Sequence, residues 1–174
     1  MKQLRDAEAG GLLRDRVAQL FLEARDDVYR YLLSLGISPA QAQEETQEVF
    51  LRLYTAMRNG EQIENTRAWV FRVAHNRGLK VRSQQKSMFA FDPAAESRMA
   101  SRIPGPEESL LGRERSLRFH QGIQELSEQQ RRCLFLRSQG LKYPEIGSVL
   151  GISPSAVGEF MRRAIARLRK SVHG

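Results

Sequence analysis

Apolar residues near the start of the chain fall at Val17, Leu20, Phe21, Ala24, Val28, Tyr31, Leu32 and Leu35, spaced by three or four. That spacing puts them on one face of an amphipathic helix, and Gly36 is well suited to end it. A second helix is predicted from Ser38, a good N-cap, followed by Pro39 at the first helical position and Gln41 at the capping-box position. Ala42, Val49, Phe50, Leu53 and Met57 form its apolar stripe, and Asn59-Gly60 stops it. Glu44, Glu45 and Glu48 are read as lying off that stripe and facing outward. After a polar loop over 60–65, Thr66 is read as the cap of a third helix reaching about Arg82. Its predicted buried side is Trp69, Val70, Val73 and Ala74, and its other positions are mostly Arg, Lys, His and Asn.

Over 83–109 the periodicity disappears. The stretch mixes Ser, Gln, Ala, Pro and Gly, ends near Pro104-Gly105-Pro106, and carries only Phe89 and Phe91 as apolar exceptions. It reads as a flexible linker, too long for a loop inside one compact domain. Helical patterns then resume. Leu110, Leu117, Ile123 and Leu126 suit one helix. Ser127 with Gln130 opens another that runs to about Ser138, ended by Gly140. Tyr143 to Leu150 is a short helix closed by Gly151. Ser153 caps a last one from Pro154 to about Val172, with Val157, Met161, Ile165 and Leu168 inward. No stretch alternates as a strand does. The expectation is an all-α chain: two small helical domains joined by a flexible linker.

Charge sharpens this picture. The 174 residues carry a net charge of +8, unevenly distributed. Residues 20–64 hold eight acids and four bases; residues 65–90 hold Arg67, Arg72, Arg77, Lys80, Arg82 and Lys86 with no acid; residues 111–174 hold twelve bases and five acids. Two basic blocks suggest two polyanion contacts, and the acidic segment before them suggests a different partner surface. No apolar run is long enough to span a membrane, and the N-terminus has no apolar stretch of signal-peptide type, so a cytoplasmic protein is expected. The single cysteine, Cys133, sits in an apolar run and reads as a small core residue; His75, His120 and His173 are scattered, so no metal site and no cofactor is expected. No catalytic constellation stands out, and the chain is read as a non-enzyme.

The strongest local motif runs from Gly140 to Val157. A short helix, a glycine turn at Gly151 and a second capped helix form a helix-turn-helix, with Gly147 small where the helices must approach and with Ile152 and Val157 filling the angle between them. The second helix continues through Arg162, Arg163, Arg167, Arg169 and Lys170. Its first turn would enter a major groove while its bases reach phosphates.

A helix-turn-helix alone leaves the first eighty residues unexplained. The run Gln47-Glu48-Val49-Phe50-Leu51-Arg52-Leu53-Tyr54, followed by Arg67-Ala68-Trp69-Val70-Phe71-Arg72-Val73-Ala74-His75-Asn76-Arg77, resembles region two of the extracytoplasmic-function (ECF) sigma factors, and Leu126 to Arg169 resembles their region four. The resemblance implies region two over 12–86, a linker over 87–109 and region four over 110–174. It implies that the helix from Ala40 to Arg58 docks on the β′ clamp helices of core RNA polymerase, with Glu44, Gln47, Glu48 and Arg52 at the contact. The loop from Gly60 to Asn65 would capture a flipped base. Asn65, Arg72, Asn76, Arg77, Lys80 and Arg82 would read and hold the minus-ten element of promoter DNA, since an amide can bond a base edge while bases hold phosphate. Trp69, an attractive stacking residue, is read as core because of its spacing with Val73. Region four would hold the minus-thirty-five element through Lys142, Tyr143, Ser155, Gly158, Glu159, Arg162, Arg163 and Arg167, and would also meet the polymerase β flap. An anti-sigma factor is a further implied partner; a membrane is not. The chain departs from the family pattern at Glu45, where an apolar residue is common, at Lys142, where serine is preferred as cap, and at Gly158-Glu159-Phe160, which stand where Lys or Arg, Ser and Arg are frequent. Two other readings compete. A plain helix-turn-helix regulator would need no polymerase, and an adaptor of a transcription complex would ignore promoter sequence.

Overall fold

The computed structural model describes residues 2–88 and 110–173, with side chains over 10–85 and 117–171. The described chain is all helix: α1 (Lys2–Ser34), α2 (Pro39–Arg58), α3 (Thr66–Met88), α4 (Leu110–Gln124), α5 (Glu128–Ser138), α6 (Tyr143–Leu150) and α7 (Pro154–His173). They form two compact units, α1–α3 in the first and α4–α7 in the second.

In the first unit all three helices pack on one another. The predicted stripe of α1 is buried at Val17, Ala24, Val28, Tyr31, Leu32 and Leu35, and Gly36 adopts the left-handed φ of 86° that turns the chain toward α2. At the start of α2 the Gln41 amide donates to Ser38 Oγ at 3.4 Å. The Gln41 side chain, however, accepts from the Ser38 hydroxyl and from Gln85 Nε2 on α3 rather than completing the capping box. That contact ties α3, which runs six residues past Arg82 to Met88, to the start of α2 at Gln85. Helix α1 likewise begins well before Val17, carrying Gly10 and Gly11 inside it. The stretch 89–109, including Phe89 and Phe91, lies outside the described residues.

Three expectations for this unit are corrected. Glu45 is buried, 8% exposed, because steps of three and four from Ala42 and to Val49 place it on the apolar stripe. The buried side of α3 is Val70, Phe71, Ala74 and His75, while Trp69 and Val73 are only half-buried. Phe71 packs edge-on against Tyr31 with centroids 5.6 Å apart, and the Tyr31 hydroxyl lies 2.9 Å from His75 Nδ1, giving both buried polar groups a partner. The N-cap of α3 is Asn65 rather than Thr66: Asn65 Oδ1 accepts from the Ala68 amide at 3.0 Å.

In the second unit α7 is the central element, meeting α4, α5 and α6. Its buried stripe is Val157, Met161, Ala164 and Leu168, so Ala164 takes the inward place expected of Ile165, which is 40% exposed. Leu126, Ala164 and Leu168 form a cluster with Ile123 and Leu134. Leu117 points outward at 62% exposure, contrary to the expected stripe of α4. Ser127 and Gln130 form a full capping box on α5. Cys133 is buried, and burial pushes its thiol pKa up to about 11, the behaviour of a core residue rather than a nucleophile.

Candidate nucleic-acid and protein interfaces

The six bases between 65 and 90 divide into two sets. Arg67 pairs with Asp27 of α1 at 3.0 Å and lies over the Phe71 ring. Arg77 pairs with Glu45 of α2 and reaches Glu48 Oε1 at 3.7 Å. These two arginines brace α3 against its neighbours. Arg72, Asn76 and Lys80 instead recur every fourth residue and are exposed, a row about 12 Å long at 1.5 Å rise per residue. Trp69 borders the same face, its Nε1 donating to Glu61 Oε1 at 3.3 Å in the loop before α3. Arg82 is half-buried on the flank of the row. Of the residues expected at the minus-ten element, the structure thus aligns Arg72, Asn76 and Lys80, engages Arg77 in an ion pair, and uses Asn65 as a helix cap.

On α2, Glu44, Gln47 and Arg52 are exposed and Glu48 is half-buried. Arg52 Nε donates to Glu48 Oε1 at 2.8 Å. That bond, together with the charges of Arg77 and Arg52, holds the Glu48 carboxyl below its ordinary pKa against the cost of desolvation. Beside this charged strip lies an apolar groove of about 420 Å³ between α1 and α2, lined by Val17, Phe21, Gln47, Phe50, Leu51 and Tyr54 among others. Leu51 is 59% exposed there. The charge pattern of α2 does not reveal this groove. The signal for it was present: Leu51 and Tyr54 are large side chains off the buried stripe of a helix whose core positions were already filled.

The helix-turn-helix has the expected geometry. Gly151 caps α6 with a φ of 68°, Ile152 N donates back to the Gly147 carbonyl at 3.0 Å, and Ser153 Oγ accepts from the Ala156 amide at 3.1 Å to start α7. Lys142 makes no side-chain cap, as its chemistry dictates. Glu145 compensates by accepting from the Lys142 backbone N–H at 2.7 Å. Lys142 and Tyr143 are exposed at the start of α6. A Cβ added to Gly158 would rest 3.6 Å from the Tyr143 ring, which places that ring beside the first turns of α7. Ser155, Arg162 and Arg163 are exposed on α7 and Glu159 is half-buried between them. Arg167 is turned away: its Nη1 donates to the Glu125 carbonyl at 2.9 Å, closing the end of α4. Among the described residues no group of His, Cys, Asp or Glu is arranged to hold a metal ion, and no helix is long and apolar enough to cross a membrane.

A three-helix unit with an exposed base-and-amide row beside an acidic and apolar face, followed by a unit built on a helix-turn-helix, is the architecture of a helical DNA-binding protein. The sigma-70 region 2 model matches residues 20–87 and the sigma-70 region 4 model matches residues 116–168. The RNA polymerase sigma-H factor of Pseudomonas aeruginosa is 30% identical over 146 residues, covering 76% of this chain and 71% of its own. The ECF RNA polymerase sigma factor SigM of Bacillus subtilis is 26% identical over 157 residues, covering 89% and 92%. The chain belongs to the sigma-70 family of RNA polymerase sigma factors, in its ECF group. The fold agrees: the sigma factor RpoE of Bartonella quintana, solved with the anti-sigma factor NepR, superposes with a TM-score of 0.63 at 18% identity, over 90% of this chain and 96% of that one.

Proposed function

We propose that the first unit anchors to core RNA polymerase through α2 and opens the minus-ten element along α3, while the second unit holds the upstream promoter element and the polymerase β flap. The observation that carries this reading is the division of labour among the bases of α3. Arg67 and Arg77 are engaged with α1 and α2, so the helix is rigidly mounted, and Arg72, Asn76 and Lys80 present an amide flanked by two cations in one exposed row. Asn76 suits a base edge, and Arg72 and Lys80 suit the phosphates on either side. Trp69 at the border of this row offers a half-exposed ring for stacking.

On α2, Glu44, Gln47, Glu48 and Arg52 with the adjoining groove offer charge for orientation and apolar area for affinity, the combination a protein partner needs. The clamp helices of the β′ subunit are the proposed occupant. The linker region 87–109 joins the two heads, and a shared polymerase frame raises the effective concentration of each for its DNA element. The chain acts in the cytoplasm, performs no chemical step of its own, and is held by an anti-sigma factor when inactive, as RpoE is bound by NepR in its structure.

Reconstitution tests the reading. Core polymerase, this protein and a pool of promoter fragments should yield transcripts from defined sites only when the protein is present. Specific fragments shifted by the protein alone, without polymerase-dependent transcripts, would instead establish a plain regulator. Asn76→Ala with Lys80→Ala should lower promoter opening at least about tenfold, the loss of one base contact and one phosphate contact, and leave polymerase binding unchanged. Glu44→Lys should do the reverse and weaken polymerase binding. Unchanged opening by the double variant would remove α3 from the DNA-reading role.

A further inference from the structure

Resting on the reading of α7 as the upstream-element helix, we propose that Glu159 is a specificity-determining residue that selects a cytosine through a single free acceptor. The first two turns of α7, Pro154 to Met161, contain no base and one acid. Gly158 has no side chain to offer, and Ser155 is short. Glu159 is therefore the long polar group nearest the N-terminus of the helix, where a major groove is entered.

Its carboxylate is held by two arginines. Arg162 donates from Nε to Oε2 at 3.1 Å and from Nη2 to Oε1 at 2.9 Å, and Arg163 donates from Nε to Oε1 at 2.7 Å. A carboxylate offers about four acceptor sites, so three N–H bonds leave one, on Oε2. Two guanidinium charges against one carboxylate leave the trio with a net charge of +1, so the acid can approach a phosphate-lined groove that would repel it alone. The remaining N–H groups of both arginines stay available for phosphate.

A lone acceptor discriminates among bases by what each presents in the major groove. Guanine N7 and O6 and thymine O4 are acceptors and repel it. Adenine offers an amine next to the acceptor N7. Cytosine offers an N4 amine with no acceptor beside it at that edge. Cytosine is the partner that fits.

The test is selection by the intact protein with core polymerase from a promoter library randomised across the upstream element, comparing the native chain with E159Q and E159A. All three should fold, since the side chain lies on the surface of α7. The native protein should enrich cytosine at one position by roughly fivefold to tenfold. E159A should lose that preference at that position alone, and E159Q, with a donor and an acceptor, should move it toward adenine. Identical base frequencies in all three would reduce the trio to a surface ion pair and overturn the proposal. A native protein with preferences at the minus-ten element and none upstream would overturn the reading of α7 itself, an outcome distinct from the first.

Discussion

Replacing either Glu45 or Arg77 by alanine should destabilise the first unit by about 2 kcal/mol, whereas replacing both by leucine should leave its stability unchanged or higher. The two side chains are 11% and 25% exposed and bond each other between α2 and α3. Taking charges from water costs several kcal/mol per ion, and their mutual attraction roughly repays it only while both are present. Removing one leaves the other in a site that water reaches poorly. The figure sits below the 3–5 kcal/mol typical of fully buried pairs because Arg77 retains some solvent and keeps Glu48 at 3.7 Å. The double leucine variant restores the apolar contact that the neighbouring stripe already supports. Denaturant unfolding followed by fluorescence isolates this unit, because the only tryptophan, Trp69, lies on α3. Additive losses in the double variant would show that the pair is not the brace described here. A functional corollary follows: with α3 no longer braced by Glu45, the row of Arg72, Asn76 and Lys80 is less well oriented, so E45A should lower promoter opening even under conditions where the unit stays folded.

Gly147→Ala should cost the second unit about 2–4 kcal/mol and abolish upstream-element binding, while polymerase docking by the first unit persists. A Cβ at this position would stand 2.6 Å from the Ile152 carbonyl oxygen, a backbone atom, with Pro154 N at 3.5 Å behind it. The turn has no freedom to retreat. Gly151 is fixed in the left-handed region, and the Gly147 carbonyl itself accepts from Ile152 N. Alanine is the better helix former by about 1 kcal/mol, which offsets only part of the clash. Gly158→Ala is the matched control. Its Cβ would meet Tyr143 at an ordinary 3.6 Å, so the same propensity gain should appear as neutral or slightly raised stability. Far-UV circular dichroism should lose the helicity of one unit in G147A while Trp69 fluorescence remains native. A native melting profile for G147A would mean that the two helices tolerate a wider crossing than the structure shows.

Much of this protein is written in its local pattern. Spacings of three and four, the caps Ser38, Ser127 and Ser153, and the glycines at 36, 60, 140 and 151, all with positive φ, determine an all-helical chain and most of its helix boundaries. These signals act within a few residues, so no tertiary knowledge is needed to read them. The helix-turn-helix was legible for the same reason, down to the small residue at Gly147. What the local pattern left open was which polar groups are engaged with a distant partner. Glu45 and Arg77 are 32 residues apart, Tyr31 and His75 are 44 apart, and Gln41 and Gln85 are also 44 apart. A buried carboxylate or imidazole such as Glu45 or His75, which its own helix does not satisfy, becomes tolerable when another helix supplies its complement. That fact sits in neither segment alone. For this reason the local pattern places Glu45 outward, leaves His75 out of the buried side of α3 and ends α3 near Arg82. Tertiary structure also decided which members of the basic run face solvent, because Arg67 and Arg77 are drawn inward by acids on α1 and α2 whereas Arg72 and Lys80 meet none among the described contacts. Composition thus determined that this stretch is cationic, and only the packing of three helices decided that its exposed row is Arg72, Asn76 and Lys80.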